Sequence, residues 1–598
     1  MKMKYLIFLT TTIFTQSAFA KLTGNFVPGE ILVKYKSTMS TSAQKNAVER
    51  EGVTTIGKIY KNAPLRVKLT KDHDMENAIL EFSNDPNVEY AQPNYIYHAT
   101  ALPNDPRFAQ TWGLRNTGQT IVSAGGPNSP SSTNNPGTSG LDMKMEYAWN
   151  TITDCRSVTV AVLDTGINYN HQDLAANMWA DGSSNHGYDF VDNDSDPMDL
   201  DGHGTHVAGT IGAVGNNGLG GTGVCWRASL MGVRVLDTTG SGTTAQITSG
   251  LNYAVANGAK VINLSLGGGN VDPAFSAAID NARNNGAILV IAAGNETNNN
   301  DASPAYPCSY TQSNIICVAA LTQTYAKASF SNWGATSVDV GAPGVNIVSA
   351  WPGTVANLNT SMTSGWNLAT YTGSRWDYTT LNLTDGTALN ILAVPHNYSF
   401  GSTTKYASNS NSQMWRSFNL AGVDAAVLNF GLVADIQSGA DYLNIFAQAG
   451  TSNPTGTGVK LEGISGSTGS SIEDMTYDLT AYKGSNMSLA FQLTSDASVV
   501  GNGAAILDLS LTTLTLNNST YNVISGTSMA TPKVAGLTAM IMAYNPNYLM
   551  DDVINSIKNG GVNTASLSGI TTTGKAVSGV GSLNYIATPT GGSAVIVP

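Results

Sequence analysis

Gly526-Thr527-Ser528-Met529-Ala530-Thr531-Pro532, near the end of a 598-residue chain, reads as a nucleophilic serine at the start of a helix. Three upstream stretches supply what such a serine requires: Ala161-Val162-Leu163-Asp164-Thr165-Gly166-Ile167, Asp201-Gly202-His203-Gly204-Thr205-His206-Val207-Ala208-Gly209-Thr210 and Ala292-Ala293-Gly294-Asn295. A hydroxyl attacks poorly until a positioned imidazole takes its proton, and a buried carboxylate fixes that imidazole's tautomer. The developing oxyanion then needs a preset donor. The residues assign these roles to Ser528 (nucleophile), His203 (general base), Asp164 (orienting acid) and Asn295 (oxyanion donor). His206, three positions along the same helical stretch, is expected to point elsewhere and pack as structure. Asp201 lies too close to His203 on a turn to reach the required ring nitrogen.

Outward from these stretches, short apolar runs alternate with helical segments. Val158–Leu163, Leu230–Leu236, Val261–Leu266, Ile288–Ala293 and Ile315–Ala319 predict strands, with helices at Thr244–Ala256 and Phe275–Asn284. Nearly continuous apolar strands belong to a parallel sheet covered on both faces, an α/β arrangement. Functional residues in such folds gather at strand carboxyl ends, where Asp164 and Asn295 fall. Before this unit, residues 21–101 hold strand-like runs at Glu30–Tyr35, Leu65–Leu69 and Val88–Tyr97 around helical stretches Ser42–Glu51 and Met75–Ser83. That order suits a small α+β ferredoxin-like domain. Between residues 352 and 520, alternating runs such as Val427–Val433, Tyr442–Phe446, Ser488–Leu493 and Ile506–Leu511 point to an all-β sandwich.

Composition narrows the setting. Only 12% of residues are charged, 62 are Gly and 42% are hydrophobic, as in a loop-rich but folded extracellular protein. A net charge of −12 argues against a nucleic-acid partner. Lys2, Lys4, the apolar stretch Tyr5–Phe14 and Ala18-Phe19-Ala20 predict a signal peptide over residues 1–20, hence secretion. Its apolar run is too short to span a bilayer, so no membrane span is expected in the mature form. Export permits disulfides among the four cysteines, Cys155, Cys225, Cys308 and Cys317. Cys308 and Cys317 are close in sequence, and Cys155 and Cys225 each precede a predicted strand, though three pairings stay open.

Asp164, His203 and Ser528 occur in the order found in subtilisin, and the four motifs together resemble the subtilase family of serine proteases over roughly residues 103–350 and 521–587. The resemblance implies a catalytic domain in two parts, 102–351 and 521–587, with a tail from 588 to 598. It implies that residues 21–101, ending in Val88-Glu89-Tyr90-Ala91-Gln92-Pro93-Asn94, form an inhibitory propeptide released by autocleavage between His98 and Pro103. The 352–520 insertion, with Trp415-Arg416-Ser417-Phe418-Asn419 and Tyr477-Asp478-Leu479-Thr480, resembles jelly-roll modules of secreted bacterial proteases. It is expected to border the cleft and narrow access for bulky substrates. The family commonly has His after Pro532, where this chain has Lys533; the position lies outside the triad.

The implied activity is hydrolysis of peptide bonds by a monomeric, secreted endopeptidase whose partners are protein or peptide substrates and its own propeptide. Substrate backbone would add as a strand to Ser265-Leu266-Gly267 and to the Gly240-Ser241-Gly242 turn. These uncharged residues suggest apolar or medium-sized side chains before the scissile bond. Asp189, Asp192, Asp194 and Asp196 crowd into eight residues and would repel unless a cation intervenes, and oxygen ligands at alternate positions suit Ca2+. A stronger Ca2+ site is implied by the resemblance alone: Asp105, Asp173, the Asn217 side chain, and the carbonyls of Val214, Leu219 and Gly221.

Overall fold

The structure, a computed structural model, describes residues 26–50, 53–56, 63–70, 74–95, 101–123, 135–359, 361–382, 388–395, 405–469 and 471–585. The expected signal peptide, His98–Thr100 of the expected cleavage interval and the tail 588–598 lie outside the described residues. The chain divides into two compact units at Ala99/Thr100.

In the first unit, period-two burial sets the strands: Leu65 and Val67 are buried while Arg66 and Lys68 are exposed. The order is strand Phe26–Tyr35, helix Thr41–Arg50, strands Thr54–Ile56 and Leu65–Lys68, helix Met75–Asn84 and strand Val88–Tyr95. The four strands form an antiparallel sheet in the spatial order Thr54–Ile56, Leu65–Lys68, Phe26–Tyr35, Val88–Tyr95, a ferredoxin-like arrangement. Ile31, Val33, Val48, Val67 and Phe82 fill its core. Thr54–Ile56 is too short to register as a periodic run.

The second unit centres on a nine-stranded sheet. In spatial order its strands are Val562–Asn563, Lys575–Ala576, Val340–Pro343, Ile315–Leu321, Ile288–Ala292, Val261–Leu264, Asp154–Asp164, Arg227–Arg234 and Gly187–Asp189. Pairing is parallel except at the Val562–Asn563 edge. After strand Asp154–Asp164 the chain goes to the Gly187–Asp189 edge, returns to Arg227–Arg234 beside the first strand, then crosses to Val261–Leu264 and builds the other way. A crevice opens outside the strand ends at such a switch point. The sheet is sealed on one face by helices Thr244–Ala256 and Pro273–Asn284. The other face receives helix Thr527–Tyr544, buried throughout from Thr527 to Ile541. Cys155 is bonded to Cys225 and Cys308 to Cys317, the first pair joining the starts of adjacent parallel strands.

The insertion is a sandwich of a seven-stranded and a five-stranded antiparallel sheet around Trp366, Trp376, Met414, Phe430, Leu443 and Phe491. No loop joins it to the core. Strand Ile347–Asn359 leaves and strand Gly503–Ile524 returns, paired with each other from Ile347↔Ile524 to Asn359↔Ser510. The boundaries expected at 351/352 and 520/521 therefore fall inside two continuous strands, with a register shift beside Pro352. Among the described residues no helix is long and apolar enough to cross a membrane.

Lys533 lies buried in the Thr527–Tyr544 helix, its stem running past Gly113, which has no side chain to obstruct it. Burial pushes its ammonium down to about 7. Between about pH 7 and the usual lysine value of 10.5 the unfolded chain holds a proton that the folded one lacks, so stability rises with pH across that window. Lys533→Met is expected to raise Tm at pH 7 by a few degrees and to flatten this rise, read by thermal unfolding from pH 6 to 10.

Candidate active site

The sheet's switch point assembles the predicted residues. Asp164 ends its strand fully buried, and its Oδ1 meets His203 Nδ1 at 2.7 Å. His203 opens helix His203–Gly212. The helix can come this close because Gly204 faces the strand end: a Cβ there would collide with the Gly166 carbonyl and lie 3.1 Å from Asp164 Cβ. The turn before His203 is organised by Asp199, a residue the motif reading passed over. Its buried carboxylate accepts five hydrogen bonds, from Thr165 Oγ1, Asp201 N, Gly202 N, Thr205 N and Thr205 Oγ1. The spacing Asp199-x-Asp201-Gly202-His203 held that signal, an acid three residues before a Gly-His turn.

Ser528 sits in the first turn of the buried helix and donates Oγ–H to Ser265 O at 3.2 Å. Ser265 returns the contact, its Oγ donating to Ser528 O (3.0 Å) while accepting from Asn263 Nδ2 (2.8 Å). Ser528 and His203 open onto one cleft, and contacts of this kind tighten once substrate is bound. Asn295 follows strand Ile288–Ala292, with its Oδ1 accepting from Thr527 N (2.9 Å) and Thr527 Oγ1 (3.0 Å). Because a backbone N–H can only donate, the contacting atom must be oxygen, which turns the Asn295 NH2 toward the cleft.

The cleft encloses about 1220 Å3 and includes Gly240, Ser241, Gly242, Ser265, Leu266 and Gly267 in its lining. Those six are uncharged, but Asp201, Asp272 and Glu296 also line it, and no Lys or Arg does. Folding thus brings carboxylates from separate loops to the wall beside those uncharged residues. None of the described residues of 352–520 lines it.

Electrostatics distinguish the imidazoles. Withdrawal from water would lower His203, but the Asp164 carboxylate in contact, with Asp201 and Asp199 behind it, raises it to about 9. Desolvation is the largest single influence, and the carboxylate contacts outweigh it only together. Burial lowers His206 to about 3; it is fully enclosed, with Nε2 on Ile347 O at 2.9 Å and its ring edge-on to Trp351. His171 is likewise buried, against Thr520 O. Both pack as structure, as expected.

At the stronger candidate cation site, Asp105 and Asp173 both meet the 214–221 loop. Asp105 Oδ2 and Oδ1 accept from the amides of Asn216 (2.7 Å) and Asn217 (3.1 Å). Asp173 Oδ1 accepts from Asn217 Nδ2 (3.0 Å), and its Oδ2 from Gly221 N (3.0 Å) and Tyr521 OH (2.8 Å). Val214 N donates to Asp173 O, and Leu219 N to Asn217 Oδ1. Burial raises Asp105, and the nearby Asp173 charge raises it further. Two buried carboxylates met by neutral donors suit a hard divalent cation. Among the described residues no three His, Cys, Asp or Glu side chains form a metal cage, so the amide and carbonyl oxygens of the loop would complete the set. The acidic run differs from its expectation. Asp189 and Asp192 are both paired to buried Arg234, at 2.5 and 2.6 Å, Asp194 caps the amide of Asp196, and Asp196 accepts from Tyr169 OH. A guanidinium 45 and 42 residues away in sequence pairs with two of the four carboxylates of a cluster that looked unpaired.

Asp201 is half-buried and accepts from His203 N at 3.0 Å. Asp201→Asn is therefore expected to lower the titration midpoint of the His203 imidazole, which NMR of the ring resonances would read.

Comparison with known proteins agrees with this geometry. The family model described as the subtilase family matches residues 156–387 and 396–582, and that of the fervidolysin N-terminal prodomain matches residues 14–94. A thermophilic serine proteinase of Bacillus sp. (strain AK1) is 37% identical over 55% of this chain and 73% of its own length. Thermitase of Thermoactinomyces vulgaris is 45% identical over 37% of this chain and 74% of its own length. An extracellular protease of Xanthomonas campestris is 33% identical over 50% of this chain and 52% of its own length. With both parts of its split sheet domain matched and a prodomain ahead of them, the chain belongs to the subtilase family of serine endopeptidases.

Proposed function

We propose that this subtilase is a secreted, calcium-stabilised endopeptidase, made as a precursor that removes its own propeptide, in which Asp164, His203 and Ser528 act as the triad. The contact between buried Asp164 and His203 Nδ1, with His203 on the same cleft as Ser528, is the observation that carries this reading. With Nδ1 committed to Asp164, Nε2 of His203 is the basic nitrogen. It takes the Ser528 proton as Oγ attacks the substrate carbonyl, then passes that proton to the leaving amine. Asn295 Nδ2 and the backbone amide of Ser528, at the start of the Thr527–Tyr544 helix, receive the oxyanion. Water, deprotonated by His203, then hydrolyses the acyl-enzyme. His203 must be unprotonated to act, so kcat/KM on a short peptide should climb with pH toward about 9.

Substrate backbone would lie along Ser265–Gly267 and Gly240–Gly242, and the acidic lining disfavours acidic side chains. Asp105, Asp173, Asn217 and the carbonyls of Val214, Leu219 and Gly221 would hold Ca2+, supplying positive charge between two buried carboxylates. Asp189, Asp192, Asp194 and Asp196 are a weaker second site, since Arg234 already serves two of them. The name of the extracellular Xanthomonas relative supports secretion. The domain limits at 20/21, 101/102, 351/352, 520/521 and 587/588 remain part of this reading. A glycan- or protein-binding role for the sandwich on an idle protease scaffold is disfavoured, because the acid–base pair is intact.

Ser528→Ala is expected to abolish labelling by a fluorophosphonate and to leave the precursor uncleaved; processing at the wild-type rate would sink the assignment. Asn295→Ala should lower kcat by about 10²–10³ with little change in KM, a magnitude carried over from subtilisin. Chelation with EDTA should lower Tm, and Asp105→Asn should remove most of that dependence; a Tm indifferent to chelator would refute the calcium reading.

A further inference from the structure

The strand that returns from the insertion is stitched at its foot to segment Asn168–Asp173. Gln172 N donates to Asn518 O (2.8 Å), Asn168 Nδ2 to Asn518 Oδ1 (3.1 Å), and His171 Nε2 meets Thr520 O (2.9 Å). The next residue, Tyr521, aims its hydroxyl at the candidate cation site. It donates to Asp173 Oδ2 at 2.8 Å and accepts from Gln172 Nε2 at 2.9 Å. Its ring lies 4.8 Å from the Arg107 guanidinium and edge-on to His171 at 5.1 Å. A Cβ on Gly220 would run into the hydroxyl, so the Val214–Gly221 loop closes directly over the ring tip.

The two oxygens of Asp173 are therefore unequal. Oδ2 is held by Tyr521 OH and Gly221 N, whereas Oδ1 faces the Asn217 side-chain amide at 3.0 Å. Rotation of that amide would give up the bond that Asn217 Oδ1 accepts from Leu219 N (2.7 Å) and leave two oxygens facing one point. Beyond Tyr521 the chain has little slack before the nucleophile: Ile524 pairs with Ile347, Gly526 N donates to Gly344 O (2.9 Å), and Thr527 N to Asn295 Oδ1 (2.9 Å).

We propose that Tyr521 is a positioning residue that links the cation site at Asp105 and Asp173 to the strand delivering Ser528. By holding Asp173 Oδ2 it presents Oδ1 to Ca2+, and bound Ca2+ in turn holds the foot of that strand. The coupling is reciprocal, as any link between two equilibria must be. It rests on the calcium reading above, and the test separates the two.

Tyr521→Phe keeps the ring between Arg107 and His171 and removes only the hydroxyl. Ca2+ is titrated by calorimetry into the purified chain, its serine blocked with a sulfonyl fluoride to stop self-digestion, and amide hydrogen exchange is followed over residues 519–527. Loss of the carboxylate's orienting partner should weaken Ca2+ binding about 10–100-fold. The slowing of exchange at 519–527 on adding Ca2+ should largely disappear in Tyr521→Phe. If Asp105→Asn binds Ca2+ as tightly as the wild type, the site reading is wrong and the link falls with it. If Asp105→Asn loses binding while Tyr521→Phe keeps full affinity or full Ca2+-dependent protection, the site stands and the link is overturned.

Discussion

The chemistry depends on one contact, the buried Asp164 carboxylate against His203 Nδ1, and on the absence of a side chain at Gly204 that allows it. Any larger residue there would push the helix off the strand end and break the pair. A carboxylate taken wholly out of water is costly unless it is well partnered. Asp164 meets this requirement with His203 and the amide of Thr165. Much of the surrounding structure serves that alignment: Asp199 gathers the turn before His203, and the sheet reverses direction where Asp164 and Ser265 end their strands.

Several acid side chains lie in or beside the interior of the catalytic unit, and the fold handles them in different ways. Asp199 is satisfied by backbone and hydroxyl donors. Asp189 and Asp192 share Arg234. Asp105 and Asp173 have neutral donors, and so invite a cation. Asp201 and Glu296 face the cleft, where their charge raises His203 in one case and colours the substrate wall in the other. Lys533, a buried base in the same unit, is driven by burial toward the neutral form.

The insertion is unusual in its attachment rather than its architecture. A sandwich hung on a flexible linker would be mechanically independent of the cleft. Here two paired strands pass without a break from sandwich to core, and their roots carry Trp351 and Tyr521. Trp351 packs against Gly202, next to the proposed base His203, and against His206; Tyr521 reaches the candidate cation loop. Among the described residues the module adds no wall to the cleft, yet its foundation touches both neighbourhoods.

Local pattern was enough to reveal the parallel strands, the ferredoxin-like order of the first unit, the alternation of the sandwich and the four motifs around Asp164, His203, Asn295 and Ser528. Each of these depends on neighbours close in sequence: a period of burial, or a turn that carries one reactive group. Local pattern could not show that Arg234 answers Asp189 and Asp192, that Glu296 and Asp272 share the substrate wall, or that Tyr521 meets Asp173 across more than three hundred residues. Those pairings are set by which strand ends the sheet brings side by side. Coulomb and hydrogen-bond energies depend on distance in space, so charge neutralisation and the sign of the cleft were decided only when the chain closed on itself.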